Sequence, residues 1–416
     1  MTPPPRRAVL AWLLYDFANS AYVAIIPATV YAKYYALSVV GNERGEGDFW
    51  WGMAVTLSMV IVAVLSPPLG AIADHAGVRK RFLAILTYLA VGATALMATV
   101  GKGDVVWGLV LAVVATVGFE AAIVYYNAYL PDLADHTRRG RLSAYGFATG
   151  YAGSALALLA ALPFALSGRY GGAFLTAAAL FGAFAMPAML YLPADRPGAV
   201  TPAQAVRIGF TKTLATLRQL RSLPDLRGFL LAYLFFEDGI NTVVYFSSVF
   251  AGHTLGFSTA EVIGLYFVVQ LSALGGAWLW ARPIDTWGPR RVVMVTLVQW
   301  CLVVLAAYFV TTKAQFYVVA VLAGTGLGAV QAAARAFMAS LIPRGREAEL
   351  FGFYSLCGKT AAVMGPVIFG TVSRLTGGNQ RAAILAVGVM FVVGLVLLAR
   401  VRAGGPAQAT PVAPPP

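Results

Sequence analysis

Long uninterrupted runs of apolar residues are the feature that most restricts how this chain can fold. They recur from Trp12 to Val401, and each is close to the 20 or so residues that an α-helix needs to cross a bilayer. Only 11% of the 416 residues are charged, against about 25% in soluble domains, so a water-soluble fold of this length could not cover its surface. The sequence therefore predicts an all-α polytopic membrane protein. It excludes a cytosolic enzyme, a secreted module and a disordered scaffold.

Charged residues, prolines and glycines separate twelve such runs. The predicted spans are 9–40, 49–73, 82–101, 105–130, 143–167, 170–192, 227–252, 260–281, 292–312, 315–341, 349–373 and 381–400. The longest polar stretch divides them six and six, and its residues 201–220 are compatible with an amphipathic surface helix. We therefore divide the chain into an N half (1–192), a cytoplasmic central loop (193–226), a C half (227–402) and a proline-rich tail (403–416) expected to be disordered.

Lysine and arginine are unevenly distributed between the two sets of connecting segments. The segments on the side of the N-terminus hold 21 of these residues, and those on the opposite side hold 7. The positive-inside rule then predicts a multi-pass protein of the cell (inner) membrane with both termini in the cytoplasm. The same distribution explains the net charge of +13, so we expect no nucleic-acid partner. The arginine-rich end, which carries segments 79–81, 138–141 and 290–291, is called the basic face below.

Sequence motifs repeat between the two halves. The motif D-x-x-G-x-R-[KR] follows the second span and recurs after the eighth, 211 residues later. Its residues are Asp74, Gly77, Arg79 and Lys80 in the first copy, and Asp285, Gly288, Arg290 and Arg291 in the second. A D-x-x-N-[ST] motif begins at Asp16 and again at Asp238, and a bulky apolar residue precedes Pro131 and Pro343. Three pairs in the same order predict two parallel six-helix repeats with the ligand site between them.

The paired loops resemble the signature loop of the major facilitator superfamily. Segments YDFANSAY (15–22), YNAYLPDLA (126–134), RGRLSAYG (139–146), FFEDGINTV (235–243) and LIPRGREAELFGFYSLCGK (341–359) resemble its vacuolar-effluxer-like branch. That branch contains bacterial relatives of the autophagy-linked vacuolar amino-acid effluxers of fungi. The resemblance implies twelve helices in two halves, with spans one, four, seven and ten around a central cavity. It also implies alternating access, with an amino acid as a candidate substrate and export as the expected direction.

Six ionisable residues away from the ends of the predicted spans are candidates for a functional role, because insertion of a charge into the membrane costs about 2.5–3.5 kcal/mol. Five share a layer about 12–16 Å from the basic boundary, counting roughly 1.5 Å per residue in a core about 30 Å thick. They are Asp16, Glu120, Asp238, Arg335 and Lys359. The sixth, Glu237, is expected to face away from Asp238 and to cap or pair.

This layer predicts a binding site for a zwitterion or a polar anion. Polar residues at helical spacing extend the faces that carry the charges. The predicted substrate-binding residues are Asp16, Asn19, Glu120, Asn127, Asp238, Asn241, Tyr245, Gln331, Arg335 and Lys359. The planar guanidinium of Arg335 suits a carboxylate or phosphate, and an acid suits an ammonium group. The alternative is that these charges pair with one another and only hold helices together.

Two further roles follow from the same residues. Burial favours the neutral form of a carboxylic acid, so Glu120 and Asp238 are the predicted proton-coupling groups, although nearby cations oppose this. All eight residues of the repeated loop motif are predicted to gate the basic face through ion pairs that break and re-form. The alternative for these loops is a tight glycine turn with positive-inside charge.

The predicted function is therefore secondary active transport of a small polar or zwitterionic solute. Protons are a candidate coupling partner. An amphiphile or lipid carrier of the same fold and a non-transporting receptor or assembly factor remain alternatives. We expect no enzyme activity, cofactor or metal, and we expect a monomer in the lipid bilayer. Gly324 and Gly328 are predicted to allow close helix packing, and Gly365–Pro366 to kink the eleventh span.

Overall fold

The computed structural model describes residues 5–41, 46–135, 137–195, 220–257, 259–343, 345–361, 364–377 and 379–402. Within these residues the regular structure is helical, and they contain no β-strand. Almost all of the predicted surface helix at 201–220 and the whole tail 403–416 lie outside the described residues.

Helices follow the predicted spans in order. The long helices are α1 (Arg6–Ile25), α2 (Glu46–Ala76), α3 (Arg79–Leu96), α4 (Val105–Ala128), α5 (Arg139–Leu166), α6 (Tyr170–Tyr191), α7 (Pro224–Leu255), α8 (Thr259–Thr286), α9 (Pro289–Phe309), α10 (Lys313–Leu341), α11 (Glu347–Thr360), α12 (Met364–Leu375) and α13 (Gln380–Ala399). After α1, a short helix at Val30–Tyr34 leads into a π-helix at Tyr35–Val40. In the described part of the chain, nine helical stretches are long and apolar enough to cross a membrane. The count of twelve spans stays a prediction.

Large apolar side chains cover the outside of the helical bundle. Leu166 is 79% exposed and Leu375 is 80% exposed, whereas Asp16, Glu120 and Arg335 are buried. This inverts the usual arrangement of a soluble protein, because contiguous apolar surface in water drives association. Lipid is the solvent that such an exterior fits.

Helix contacts of the N half recur in the C half. Helix α3 packs on α4 and α6 as α9 packs on α10 and α13, and α1 packs on α6 as α7 packs on α13. The two halves meet mainly where α5 lies against α8 and where α2 lies against α11. In the same correspondence, α2 of the N half matches α8 of the C half and α5 matches α11, so each of these two interfaces is the counterpart of the other. The packing therefore carries the repeat that the motif spacing predicts.

Both copies of the repeated loop motif form tight turns between helices. Gly77 separates α2 from α3 with φ 66°, and Gly288 separates α8 from α9 with φ 87°. Side chains with a Cβ rarely adopt this left-handed backbone, so glycine is required at each turn.

The eleventh predicted span is divided into α11 and α12, whereas its counterpart α5 runs unbroken for 28 residues. Asp238 of α7 lies against the start of α12. Its carboxylate accepts the backbone N–H groups of Met364 and Gly365, each at 3.0 Å. The first N–H groups of a helix lack partners within it, so Asp238 caps α12 from a neighbouring helix. A Cβ on Gly365 would overlap Thr242 Oγ1, which leaves only glycine room beside this cap.

The close packing predicted at Gly324 and Gly328 is confirmed. A Cβ added to Gly324 would lie 2.7 Å from the carbonyl oxygen of Val269, and one added to Gly328 would overlap the backbone at Ala273 at 2.0 Å. Helix α10 therefore approaches α8 backbone to backbone, which brings the α10 residues that follow to the centre of the bundle.

Gly328→Ala is expected to lower the stability of the purified protein by about 1–3 kcal/mol, because α8 must move to accept the methyl group. Thermal unfolding in detergent measures this. Gly275→Ala is the matched control, since a Cβ at Gly275 meets nothing within 4 Å. An equal loss of stability in both variants would contradict the packing argument.

Asp238→Ala is expected to destabilise the protein by about 1–3 kcal/mol, because it leaves the buried N–H of Gly365 and the partly buried N–H of Met364 without their acceptor. Glu237→Gln changes the adjacent residue without touching the cap and is expected to unfold near the wild-type temperature. The comparison uses the same thermal assay. Similar midpoints for Asp238→Ala and the wild type would show that the cap adds nothing to stability.

Candidate functional site

Polar contacts join the two halves at the basic face. Asp285 at the end of α8 accepts the backbone N–H of Arg141 at 2.9 Å and its Nε at 3.2 Å. Arg141 lies in the first turn of α5, so a carboxylate of the C half caps a helix of the N half. Arg79 bridges Asp132 at 3.0 Å and Glu347 of α11 at 3.3 Å. These contacts tie the halves together at the end that carries the repeated loops.

Arg139 adds a third connection at the basic face. Its guanidinium donates to the carbonyl oxygens of Ala134 and Pro131 in its own half and to that of Ala339 in α10, at 3.0 Å. The guanidinium thus satisfies carbonyl groups near the ends of α4 and α10, where helices leave acceptors unpaired.

Not every predicted gating residue joins the halves. Lys80 donates to the carbonyl oxygens of Leu190 and Leu192 at the end of α6, and Arg290 donates to those of Leu398 and Ala399 at the end of α13. Both therefore cap helices within their own half. The side chain of Asp74 is outside the described residues, and Arg291 is exposed. Among those of the eight whose side chains the structure describes, the contacts between halves come from Arg79 and Asp285.

Deeper in the bundle, Arg335 of α10 lies entirely among residues of the N half. Its guanidinium donates to Asp16 Oδ2 at 3.1 Å, to Ser143 Oγ at 2.9 Å and to the Ser143 carbonyl at 2.6 Å. The rings of Phe147, Trp12 and Tyr126 surround it, with centroids 4.0, 4.8 and 5.8 Å from Cζ. Only 4% of the Arg335 side chain is exposed. We call Arg335, Asp16 and Ser143 the arginine latch.

Small residues explain how Arg335 reaches this position. Alanines flank it in α10, at 332–334 and 336, so α10 can approach α5 closely enough for Ser143 Oγ to donate to the Ala332 carbonyl at 2.8 Å. On α5, a Cβ at Gly146 would lie 2.4 Å from Asp16 Oδ2 and 2.6 Å from an Arg335 nitrogen. Only glycine leaves space for the ion pair at that point.

A second, partly buried ion pair joins Lys359 of α11 to Glu120 of α4. Lys359 Nζ lies 2.5 Å from Glu120 Oε1, and 28% of the Lys359 side chain is exposed, against 11% for Glu120. This pair also spans the two halves. It differs from the arginine latch because solvent still reaches the cation.

Glu237, which the sequence analysis set aside, is the acid of α7 that faces the centre. Gln331 of α10 donates its side-chain amide to both Glu237 oxygens, at 3.0 and 3.2 Å. Lys359 and Tyr151 lie within electrostatic range, as do Tyr233 and Tyr354. Asp238 instead faces α12 of its own half. The two neighbouring acids have thus exchanged the positions expected for them.

The remaining predicted residues lie around these pairs. Asn19 donates to Asp16 at 3.3 Å, and Asn241 approaches the Ala361 carbonyl at 3.5 Å. Asn127 is buried, and among the described residues its side-chain oxygen has no hydrogen-bond partner. The side chain of Tyr245 is outside the described residues. In the part of the chain that the structure describes, no cluster of three or more His, Cys, Asp or Glu residues could hold a metal ion.

We define the central layer as Glu120, Lys359, Glu237 and Gln331. Of the five charges predicted to share one level, the structure brings together Asp16 with Arg335 and Glu120 with Lys359. Ser143, Arg141 and Glu347 could not be selected from the sequence, because their contacts join helices that are distant in sequence. A small residue opposite an intramembrane charge, as at Gly146, is the one local signal that points to Ser143.

Comparisons with known proteins identify relatives of this chain. The family model described as "Vacuole effluxer Atg22 like" matches residues 52–405. An uncharacterized MFS-type transporter of Bacillus subtilis, YxiO, is 31% identical over 402 residues, covering 94% of this chain and 93% of that protein. Autophagy-related protein 22 of Cryptococcus neoformans is 30% identical over 286 residues, which are 63% of this chain and 52% of the fungal protein.

Solved structures show the same fold. The human organic anion transporter MFSD10 (TETRAN) superposes with a TM-score of 0.75 at 17% identity, covering 95% of this chain and 100% of that one. The major facilitator superfamily transporter FucP gives 0.73 at 14% identity, with 95% and 98% covered. The match to the family model and the similarity to YxiO along nearly the whole chain show that this protein belongs to the Atg22-like vacuole effluxer family, with the fold of the major facilitator superfamily.

Proposed function

We propose that this membrane protein exports a small zwitterionic solute, with amino acids as the first candidates, by alternating access between its halves. The observation that carries the proposal is that each of the two ion pairs described in the middle of the bundle, Asp16–Arg335 and Glu120–Lys359, has one member in each half. A pair within one half would persist while the halves rock. A pair shared between them must break, and its charges then need new partners.

The distribution of contacts supports a state closed at the basic face. Within the described residues, the polar contacts between the halves lie at the basic face, at the arginine latch or in the central layer. Opening toward the basic face requires all of them to separate. We infer that the central layer is reached from the opposite face in this state.

Lys359 is the better candidate than Arg335 for binding a substrate carboxylate. All three nitrogens of Arg335 already donate to Asp16 or Ser143, and its planar faces lie against aromatic rings. Lys359 is more exposed and is held by the carboxylate of Glu120, whose place beside the lysine a carboxylate of the substrate can take. The carboxylate site predicted at Arg335 is therefore reassigned to Lys359 in this proposal.

Glu237 completes the site for a zwitterion. It lies on the same half as Lys359, and its described hydrogen-bond partner is the neutral amide of Gln331. An ammonium group of the substrate would supply the cation that a buried carboxylate favours. Asn241 and Gln331 then remain to bind neutral polar groups of the substrate.

The same carboxylate offers a basis for proton coupling. Glu120 is paired with a lysine and Asp238 accepts two backbone amides, and both arrangements stabilise the charged form. Among the described residues Glu237 forms no ion pair and accepts hydrogen bonds from the neutral amide of Gln331, so we place the coupling group there. A proton and a substrate ammonium would compete for one carboxylate, which produces exchange of protons for substrate. Inward protons then drive export, in keeping with the description of the family as effluxers.

Orientation and assembly belong to the same proposal. The basic face lies in the cytoplasm with both termini, and one chain forms the complete translocation path. Under this arrangement the ion pairs at the basic face close the cytoplasmic side.

Glu237→Gln and Lys359→Gln are each expected to weaken substrate binding at least about tenfold, because each removes a charge-assisted hydrogen bond. A panel of the proteinogenic amino acids, screened by ligand-induced stabilisation of the purified protein, first identifies a binder. The matching amine and the matching carboxylic acid, which each lack one charge, should not stabilise the protein. Glu120→Gln should bind at least as well as the wild type, because it releases Lys359.

The controls for these variants are Glu261→Gln and Lys313→Gln. This surface pair, at 2.8 Å, joins the start of α8 to the start of α10 outside the site. Both controls are expected to bind and transport normally. If no zwitterion stabilises the protein, or if the central and control variants bind equally well, the proposed site is wrong.

Asp16→Asn and Arg335→Lys are expected to favour opening at the basic face by breaking the arginine latch. Loss of about 3 kcal/mol from a buried pair would shift the conformational equilibrium roughly 100-fold. Ile284→Cys, in a background without Cys301 and Cys357, places a thiol at a fully buried contact between the halves. Its alkylation rate should rise in both latch variants.

Asp104→Asn is the control for the latch experiment, because Asp104 bonds to Gly101 in a turn before α4. It should leave the alkylation rate at the wild-type value. An unchanged rate in Asp16→Asn and Arg335→Lys would mean that the arginine latch does not hold the halves closed.

A further inference from the structure

A groove lies at the basic face between the first turns of α7 and the end of α13, away from the central layer. Its volume is about 390 Å³, and the residues that line it include Arg227 and Leu231 of α7 with Leu397, Arg400 and Arg402. None of these residues takes part in the contacts between the halves described above. We call it the α7–α13 groove.

The charge of the α7–α13 groove is not neutralised by the protein. Three arginines line it against one acid, Asp225, and that acid accepts the backbone N–H of Arg402 at 2.9 Å. Within the described residues, the side chains of Arg227, Arg400 and Arg402 form no ion pair or hydrogen bond, and all three are exposed. Arg79 and Arg141 at the same face do have acidic partners. The described lining of the groove is therefore cationic, with three arginines and one acid, and none of the three arginine side chains is paired with that acid.

Polarity changes along the groove in the direction of the membrane. Helix α7 begins at the basic face, so Leu231 lies one turn deeper than Arg227, and it is 48% exposed. Helix α13 ends at this face, so Leu397 lies deeper than Arg400 and Arg402. Both walls thus present arginine at the membrane surface and leucine beneath it. A free anion has no use for the apolar end, whereas a phospholipid has a phosphate above its acyl chains.

We propose that the α7–α13 groove binds one anionic phospholipid of the cytoplasmic leaflet, with the phosphate at the arginines and an acyl chain along Leu231 and Leu397. Arginine binds phosphate through two parallel hydrogen bonds, and basic sites between helices at the cytoplasmic surface favour anionic headgroups. Bound lipid joins the first helix of the C half to its last. The site is separate from the proposed substrate site and does not depend on it.

The test uses the full chain in detergent with added phosphatidylglycerol. The lipid is expected to raise the unfolding temperature, whereas phosphatidylcholine with the same acyl chains, inorganic phosphate and glycerol phosphate are not. In the triple variant Arg227→Gln, Arg400→Gln, Arg402→Gln, the half-maximal shift should require roughly 100-fold more phosphatidylglycerol, at about one kcal/mol per arginine. Native mass spectrometry should show one retained lipid fewer.

The matched control is Arg6→Gln, Arg7→Gln, Arg138→Gln, which removes the same charge from exposed positions at the same face. It should respond to phosphatidylglycerol like the wild type. If the triple variant does not fold, Arg400→Gln alone should raise the half-maximal concentration about fivefold. Equal weakening in both triple variants would indicate diffuse charge attraction and overturn the proposal. A shift with inorganic phosphate equal to that with lipid would overturn it in favour of a free-anion site.

Discussion

Charges removed from water at the contact between the halves are the constraint on which the rest of the structure depends. Four charged side chains could not remain ionised in an apolar bundle without partners, because desolvation of a single ion costs several kcal/mol. They are Asp16, Glu120, Arg335 and Lys359. Each finds its partner across the boundary between the halves. Closure at the basic face is therefore part of how these charges are satisfied. Any other conformation must provide substitutes.

The halves repeat in backbone packing but not in charge. The N half supplies the acids of both buried pairs, Asp16 and Glu120, and the C half supplies the bases, Arg335 and Lys359. The duplicated D-x-x-N-[ST] motif shows how this difference arose on one framework. Asp16 in α1 meets an arginine of the other half, whereas Asp238 in α7 caps the broken helix of its own half. Glu237, one residue earlier, instead accepts the side-chain amide of Gln331 in α10, where we propose that substrate and proton bind.

The sequence predicted the helices and the repeat, because apolar length and residue spacing determine them. It assigned Asp238 to the centre and turned Glu237 away, whereas in the structure Glu237 lies against Gln331 of α10 and Asp238 against the start of α12. Consecutive residues on a helix point about 100° apart, so the answer depends on the rotation of α7, which is fixed by its contacts with α10 and α12. The kink expected at Gly365–Pro366 lies where α12 begins. Hydropathy gave no indication that an acid on another helix, Asp238 of α7, would cap the start of α12. Likewise, the roles of Ser143 and Gly146 depend on the position of α5 beside Arg335, which the sequence does not specify.

The two buried pairs are suited to different tasks by their exposure and geometry. Arg335 is nearly sealed, with several hydrogen bonds and three aromatic rings around its guanidinium, so a small solute cannot replace its partners one at a time. Lys359 has a flexible stem and is partly exposed, and in the mechanism we propose a substrate carboxylate replaces Glu120 in a single exchange. Substrate binding at Lys359 would then release the charge of Glu120 in the N half and remove one of the contacts that hold the halves together. With that contact gone, the arginine latch alone opposes opening at the centre, which couples occupancy of the site to the conformational change.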